Sequence, residues 1–248
     1  MLHFGLIGYP LIHSFSKKYF TNKFKEEKIE ADYELFELKD LNELKALIAR
    51  QSFSGLNVTI PYKEKIIPFL DDLDSTASEI GAVNVIKFIR LGERTILKGF
   101  NTDVIGFSES VAPFLKPYHS KALILGTGGV SKSIEYALRK LGIEVTFVSR
   151  NPKSNQLSYT DLDESILQNH LIIINATPVG MFPHANECPN IPYEFLTPKH
   201  LLFDTIYNPV ETLFLQKGKQ KGATVLNGEK MLVIQAEESW KIWNKRHD

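Results

Sequence analysis

The sequence has few of the features that mark secreted, membrane-spanning or nucleic-acid-binding proteins. One of its 248 residues is a cysteine, Cys188, so no disulfide can form within the chain. No apolar stretch approaches the ~20 residues that cross a bilayer, and the N-terminus lacks the basic and apolar regions of a secretory signal. Basic and acidic residues each number 29, so the formal net charge is zero, which disfavours a general nucleic-acid binder. We expect a cytoplasmic protein that binds neither nucleic acid nor membrane.

The composition is otherwise that of an ordinary globular chain. Hydrophobic residues make up 43% and charged residues 23% of the sequence, which is typical of soluble folds. The length suggests one large domain or two small ones, with enough core to fold without disulfides. The seven histidines show no ligand spacing such as His-x-x-x-His, so we expect no metal site.

Two successive apolar patterns divide the chain. In the first hundred residues, short apolar runs alternate with amphipathic stretches, and from about Asp103 strands and helices alternate regularly. This alternation predicts an α/β fold whose second part has a parallel sheet covered on both faces. The predicted strands are 4–8, 33–38, 56–60, 82–89, 95–97, 122–125, 145–148, 171–174, 201–203 and 224–226. The predicted helices are 17–28, 40–50, a short one after Pro61, 103–111, one ending at Leu141, 211–221 and 229–245.

A glycine-rich turn follows the strand predicted at 122–125 and opens the next helix. It comprises Gly126, Thr127, Gly128, Gly129, Val130 and Ser131. The first glycine allows a tight turn, and Gly128 lets a pyrophosphate approach the backbone amides at the helix N-terminus. This context favours a dinucleotide site, and a purely structural strand–turn–helix is the alternative.

The end of the next predicted strand bears on which dinucleotide is bound. Enzymes that select NAD often carry an acidic residue there, which binds the ribose 2′-hydroxyl. Here the position, 24 residues after Gly126, is Arg150. Because a guanidinium can pair with a 2′-phosphate through parallel hydrogen bonds, we predict NADP rather than NAD. A solvated arginine at a strand end is the alternative.

Polar residues in the first half indicate a catalytic site. Asn57 and Thr59 share one face of a predicted strand, since alternate residues point the same way. Pro61 ends that strand, which places Lys63 in the following turn. A lysine needs a partner that orients it, and Asp103 is the best carboxylate candidate.

Taken together, these segments resemble the shikimate dehydrogenase family almost from end to end. The shared blocks occur in family order: S-F-S, N-V-T-I-P-Y-K, G-A-V-N, N-T-D, G-T-G-G-V-S, S-R-N, N-A-T-P-V-G-M, and N-G followed by M-L and Q-A. The resemblance implies an NADP-dependent oxidoreductase that reversibly reduces 3-dehydroshikimate to shikimate, on the route to chorismate and the aromatic amino acids. It also implies a monomer or homodimer.

The resemblance assigns roles to residues and domains. Residues 1–102 plus 228–248 are expected to form a substrate-binding catalytic domain, with the last helix packing back on it. Residues 103–227 are expected to form a Rossmann-type NADP-binding domain, with catalysis in the cleft between the two. Lys63 matches the catalytic lysine and Asp103 its partner. The expected substrate contacts are Ser14, Ser16, Asn57, Thr59, Asn84 and Gln235. The expected cofactor contacts are residues 126–131, Arg150, Thr177, Met181, Ile206 and Gly228.

The sequence departs from the family pattern in places, and other functions remain open. The usual Ser-Lys-Ser-Pro reads Ser14-Phe15-Ser16-Lys17, and the usual Asn-Arg-Thr reads Ser149-Arg150-Asn151. One alternative is a broader quinate/shikimate dehydrogenase that uses NAD, which Arg150 disfavours. A non-catalytic metabolite-binding protein is a second, which the presence of Lys63 and Asp103 disfavours. Methyl transfer from a nucleotide-like donor would explain the glycine turn but neither Lys63 nor Arg150.

Overall fold

The computed structural model describes residues 1–11 and 14–245, and the chain divides into two compact units. The first unit consists of Met1–Asp103 together with the chain from Gln235 onwards, and the second is Val104–Ile234. The chain thus leaves the first unit after Asp103 and returns to it at Gln235. Within the described ranges, no helix combines the length and the apolar character needed to span a membrane.

The first unit is built on a mixed six-stranded sheet. Its strands are β1 (Leu2–Gly8), β2 (Ala31–Glu37), β3 (Gly55–Val58), β4 (Asp72–Leu73), β5 (Val85–Leu91) and β6 (Arg94–Phe100), and its helices are α1 (Phe15–Glu26), α2 (Glu43–Arg50) and α3 (Ser75–Ile80). The strand order is β2-β1-β3-β5-β6-β4. Strand β1 is parallel to β2 and β3, whereas β5 is antiparallel to both of its neighbours.

The second unit contains a five-stranded sheet that is parallel throughout. Its strands are β7 (Lys121–Leu125), β8 (Glu144–Val148), β9 (Ile172–Asn175), β10 (Leu201–Asp204) and β11 (Thr224–Leu226). Helix α4 (Asp103–Val111) leads into this unit, which contains α5 (Gly129–Lys140), α6 (Glu164–Asn169), α7 (Leu213–Gln220) and the start of α8 (Glu229–Asn244). Alternate residues of β7 enter two separate apolar cores, so both faces of the sheet are covered.

The strand order of this second sheet is that of dinucleotide-binding proteins. The order is β11-β10-β9-β7-β8, and an isolated parallel bridge joins Val148 of β8 to Leu157 at the outer edge. With that bridge counted as the third strand in chain order, the order across the sheet reads 3-2-1-4-5-6, as in Rossmann sheets. The expected fold class, with a mixed α/β unit and a Rossmann-type unit, is confirmed.

The register of the first sheet gathers polar residues at one edge. Asn57 of β3 is paired with Val85 of β5, and Val85 is paired with Phe100 of β6. Because β5 runs against its two neighbours, its N-terminal end lies beside their carboxyl ends. Asn84, which precedes β5, therefore lies beside the residues that follow β3 and β6.

The C-terminal part of α8 packs on the first unit, as the sequence predicts. The indole N–H of Trp243 donates to the carbonyl of Ile86 at 3.1 Å, and its ring lies 4.7 Å from that of Phe4 between centroids. A Cβ at Gly55 would overlap the Trp243 indole, so only glycine permits this close approach. Trp240 also packs against this core, so the two tryptophans lie on the packing face of the helix.

The short helix predicted after Pro61 is a 3₁₀ helix, and it begins six residues later. Residues 60–66 form turns, and a 3₁₀ helix follows at Ile67–Phe69. The carbonyl of Lys63 accepts a hydrogen bond from the amide of Val83 at 2.7 Å and so does not join a helical ladder. This long-range bond anchors the backbone of Lys63 to the start of the β5 segment.

Three short elements were not predicted from the sequence. They are β4, with two residues, and α3 and α6, with six residues each. A helix of six residues spans fewer than two turns, which is too short to establish an apolar period. Aspartate caps mark both starts, since Asp74 accepts from the Ala77 amide at 2.9 Å and Asp163 from the Ile166 amide at 2.8 Å.

Candidate functional site

Lys63 and Asp103 form a shielded ion pair in the first unit. The Lys63 Nζ lies 2.6 Å from the Asp103 Oδ2, and the two side chains are 14% and 7% exposed. Lys63 lies in the turn after β3, and Asp103 is the first residue of α4. The structure thus brings together two residues that are 40 positions apart in the sequence.

Asn84 holds the other oxygen of the Asp103 carboxylate. Its Oδ1 accepts from the Thr102 amide at 2.7 Å, so the orientation of the side-chain amide is determined. The Nδ2 group therefore faces Asp103 and donates to Oδ1 at 2.9 Å. The carboxylate is held between an amide and an ammonium group, one on each oxygen, and is fixed in position.

Helix α8 adds two side chains to this cluster. The Oε1 of Gln235 lies 3.5 Å from the Asn84 Nδ2. One turn later, the Ser239 hydroxyl lies 3.4 Å from that of Thr102 and donates to the Gln235 carbonyl at 2.8 Å. Gln235 is thereby placed beside Asn84, as its predicted role requires.

Asn57 lies in the same network but is almost fully buried. It is 4% exposed, and its Oδ1 accepts from the Tyr33 hydroxyl at 2.7 Å. Its Nδ2 donates to the Ser239 hydroxyl at 3.1 Å and to the carbonyl of Asn84 at 3.2 Å. The Asn57 amide therefore ties three elements of the unit to one another.

The remaining predicted substrate residues lie at the start of α1 and directly after β3. Ser14 is the N-cap of α1 and accepts from the Lys17 amide at 3.2 Å. Burial raises the pKa of Tyr33, and a hydrogen bond with the Ser16 side chain acts in the opposite direction. Half-buried Thr59 directly follows β3. Through Tyr33 and Asn57, Ser16 is linked to the cluster around Asp103.

The predicted cofactor residues share one edge of the second sheet. The glycine-rich turn begins directly after β7. Four of the five other predicted positions, Arg150, Thr177, Ile206 and Gly228, each lie two residues past the end of β8, β9, β10 or β11. Since all five strands are parallel and in register, these positions follow the carboxyl ends, where open α/β sheets bind ligands.

The glycine turn fits a dinucleotide pyrophosphate. Gly126 has a φ of +105°, which favours glycine, and an added Cβ would lie 2.9 Å from the Thr177 Cγ2. Gly128 is the N-cap of α5, and a Cβ there would meet open space. The amides of Gly129 and Val130 begin this 12-residue helix, where the helix supplies no acceptor, so they can bind phosphate oxygens, whereas the Ser131 amide donates to the Gly128 carbonyl at 3.0 Å.

The other predicted cofactor positions are either exposed or closely packed. Arg150 is exposed, and its charge lowers the pKa of Tyr159 against the larger effect of burial, which raises it. Met181 is 43% exposed. The Gly228 amide donates to the Ile206 carbonyl at 3.0 Å, and a Cβ at Gly228 would overlap the carbonyl of Thr205.

Sequence reasoning missed a buried polar cluster at this edge. Asn175, Asp204 and Thr212 each have 0% exposure, and Asp204 accepts hydrogen bonds from both of the others. Burial raises the pKa of Asp204 to about 6, and these hydrogen bonds oppose the rise. The signal in the sequence is a polar residue directly after an apolar run, in Ile172–Asn175 and again in Leu201–Asp204.

The fold and the two clusters define a class of protein. One unit has a Rossmann strand order and a glycine turn that suits a dinucleotide, and the other has a shielded lysine that could exchange a proton with a substrate oxygen. Within the described residues, no three side chains of His, Cys, Asp or Glu are grouped as metal ligands would be. This combination is that of a dinucleotide-dependent oxidoreductase.

Comparisons with known proteins identify the family. A family model described as the shikimate dehydrogenase substrate binding domain matches residues 6–86. The shikimate dehydrogenase (NADP(+)) of Methanococcus maripaludis is 38% identical, over 96% of this chain and 90% of that protein. The shikimate dehydrogenase structure from Aquifex aeolicus has a TM-score of 0.86 at 34% identity, covering 98% of this chain and 92% of that one. The chain belongs to the shikimate dehydrogenase family.

A further solved relative contains both ligands expected for the family. Shikimate 5-dehydrogenase from Thermus thermophilus, in complex with NADP(H) and shikimate, has a TM-score of 0.85 at 30% identity. The alignment covers 98% of this chain and 94% of that one. The similarity thus extends over both units.

Replacing Asp204 by asparagine should change how stability depends on pH. The carboxyl has an ordinary pKa of 3.8 and a pKa of about 6 in the folded chain. Between these values the folded state binds more protons than the unfolded state. The Asp204 carboxyl therefore favours folding at low pH, and this contribution to stability is lost as the pH rises through about 6. From about pH 4.5 to 7, the free energy of unfolding of the original protein should fall by about 2 kcal/mol relative to Asp204→Asn.

Urea unfolding of both proteins across this pH range measures that difference. Other titrating groups are common to both proteins, so their effects cancel in the difference between the two free energies of unfolding. A stability difference that stays constant with pH would contradict the raised pKa.

Proposed function

We propose that this chain catalyses the reversible, NADP-dependent reduction of 3-dehydroshikimate to shikimate, on the route to chorismate and the aromatic amino acids. The observation that carries the proposal is the shielded Lys63–Asp103 pair, 2.6 Å apart, in a chain of this family. The first unit binds the substrate and the second binds NADP. The enzyme acts in the cytoplasm as a monomer or a homodimer.

Lys63 handles the proton in this reaction. Bound NADPH supplies a hydride to the ketone carbon, and negative charge then develops on the ketone oxygen. The Lys63 ammonium has three N–H donors, and Asp103 engages it through one oxygen, so donors remain for the substrate oxygen. Lys63 stabilises the developing charge and gives the oxygen a proton, and in the reverse direction it takes that proton back.

Asp103 and Asn84 orient the lysine. The carboxylate accepts from Lys63 at one oxygen and from the Asn84 amide at 2.9 Å at the other, so the ammonium is held in one direction. Holding a catalytic group in reactive geometry removes much of the entropic cost of the chemical step.

Polar side chains of the first unit bind the substrate. Ser14 and Ser16 bind the carboxylate at the start of α1, where the amides and dipole of a 12-residue helix favour an anion. Hydroxyl and amide groups suit a small polyol acid, because an analogue lacking a hydroxyl leaves such groups unpaired. The further substrate contacts are Asn57, Thr59, Asn84 and Gln235.

The second unit binds NADP along the carboxyl edge of its sheet. The pyrophosphate binds to residues 126–131, namely Gly126, Thr127, Gly128, Gly129, Val130 and Ser131. Arg150 pairs with the 2′-phosphate through charge-assisted hydrogen bonds. The nicotinamide side is lined by Thr177, Met181, Ile206 and Gly228.

A spectrophotometric assay with two acids and two cofactors tests the proposal directly. We expect NADP to be reduced with shikimate faster than with quinate, and faster than NAD is reduced. Quinate oxidation with NAD at a matching rate would favour the broader quinate/shikimate dehydrogenase. If shikimate and NADP give no reaction, the proposed activity is wrong.

Replacing Lys63 by alanine should lower kcat by about 10²–10⁴-fold with a modest change in the shikimate KM, because proton transfer by a positioned group contributes that much. The matched control is Lys65→Ala, which removes an exposed lysine two residues away and should leave kcat unchanged. Near-normal turnover of Lys63→Ala would contradict the role of the lysine.

Replacing Arg150 by aspartate should change cofactor selection. Loss of a charge-assisted pair should weaken NADP binding by about 10–100-fold, and NAD, which lacks the 2′-phosphate, should be affected far less. Titration of each cofactor against the protein measures both affinities. Arg139→Ala, which removes an arginine that is 67% exposed on α5, is the control. Equal losses for NADP and NAD would eliminate this assignment.

A further inference from the structure

A buried carboxylate at the end of β10 takes no part in the steps above. We propose that Asp204, together with Thr212, is a positioning residue for NADP that holds the loops carrying Thr177, Ile206 and Gly228 in their binding conformation. This inference rests on the proposed function, since those three residues are placed on the nicotinamide side.

Three donors converge on the Asp204 carboxylate. Its Oδ1 accepts from the Asn175 Nδ2 at 3.1 Å and from the Ile206 amide at 3.0 Å. Its Oδ2 accepts from the Thr212 hydroxyl at 2.6 Å. Asp204, Asn175 and Thr212 all have 0% exposure, so water cannot replace a partner that is lost. Removing one partner of such a group costs more than an exposed hydrogen bond would.

Asp204 holds the loop after β9, which carries Thr177, through the side chain of Asn175. Because the Asn175 Nδ2 donates to Asp204, its Oδ1 must face the other way. That oxygen accepts from the Thr177 amide at 3.1 Å and from the Thr177 hydroxyl at 2.6 Å. A second Nδ2 bond runs to the Val179 carbonyl at 3.1 Å. The carboxylate thus determines the orientation of one amide, and that amide sets the turn that places Thr177 beside Gly126.

Asp204 binds the loop after β10 directly. The Ile206 amide is bound to Asp204, and the Ile206 carbonyl accepts from the Gly228 amide at 3.0 Å. The loops after β10 and β11 are therefore connected to the same carboxylate. Three positions that contact one ligand region depend on a single buried group, which is how a supporting residue keeps a site in its binding geometry.

Thr212 can be replaced with little change in side-chain shape, so its substitution tests this arrangement. It is the N-cap of α7, and its hydroxyl also accepts from the Leu215 amide at 3.4 Å. Thr212→Val keeps the side-chain volume and removes the hydroxyl, so one carboxylate oxygen of Asp204 loses its donor. Thr212→Ser keeps the hydroxyl.

The experiment is a fluorescence titration of NADPH against each purified variant without substrate, alongside thermal melting. We expect Thr212→Val to raise the NADPH Kd about tenfold, the equivalent of one buried hydrogen bond, and Thr212→Ser to stay within about twofold. The control is Ile173→Val, which removes one methylene from the core of the same sheet. It should lower the melting temperature and leave the Kd unchanged. If Thr212→Val does not fold, Asp204→Asn replaces it, with the same expected rise in Kd.

The outcomes separate this inference from the proposed function. If the unsubstituted protein binds NADPH and the folded variant binds it equally well while melting at a lower temperature, Asp204 is merely structural and the inference is overturned. If the unsubstituted protein binds no NADPH, the proposed function is overturned and this inference fails with it.

Discussion

The ammonium of Lys63 and the carboxylate of Asp103 lie 2.6 Å apart with little access to water, and the chemistry proposed for the first unit depends on that contact. A charge removed from water is tolerated when it is paired and hydrogen-bonded. The first unit meets this requirement by giving each carboxylate oxygen its own partner, Lys63 on one side and Asn84 on the other. The long-range bond from Val83 to the Lys63 carbonyl holds the backbone where the pair can form.

The second unit has a different task in the proposed function, because it would present several loops to one extended ligand. A parallel sheet does this by placing all its carboxyl ends along one edge. Buried polar groups help to hold these loops. Asp204 and Asn175 join the loops after β9 and β10 through hydrogen bonds, and Gly228 is connected to them through Ile206.

The predictive power of the sequence was greatest where a residue pattern has a local cause. The strands Lys121–Leu125 and Thr224–Leu226 and the helix Asp103–Val111 follow from apolar periodicity and from the residues at their ends. The glycine turn was predictable because the backbone conformation at Gly126, with a φ of +105°, by itself favours glycine. Where distant residues decide the local structure, as Val83 does for the turn after Pro61, the sequence predicted the short helix but not the turns that precede it.

The sequence by itself determined the α/β class and the basic residue that follows β8, because each is set by residue type and short spacing. Lys63 and Asp103, which are 40 positions apart, were paired as candidates through the resemblance to the family. Tertiary structure alone decided which polar groups meet. Asn57 is bound to Tyr33 and Ser239, and Asp204 is bound to Thr212, through side chains that strand register and helix packing bring together. Hydrogen bonds between side chains act over about 3 Å, and no pattern along the chain specifies a distance of that size between remote residues.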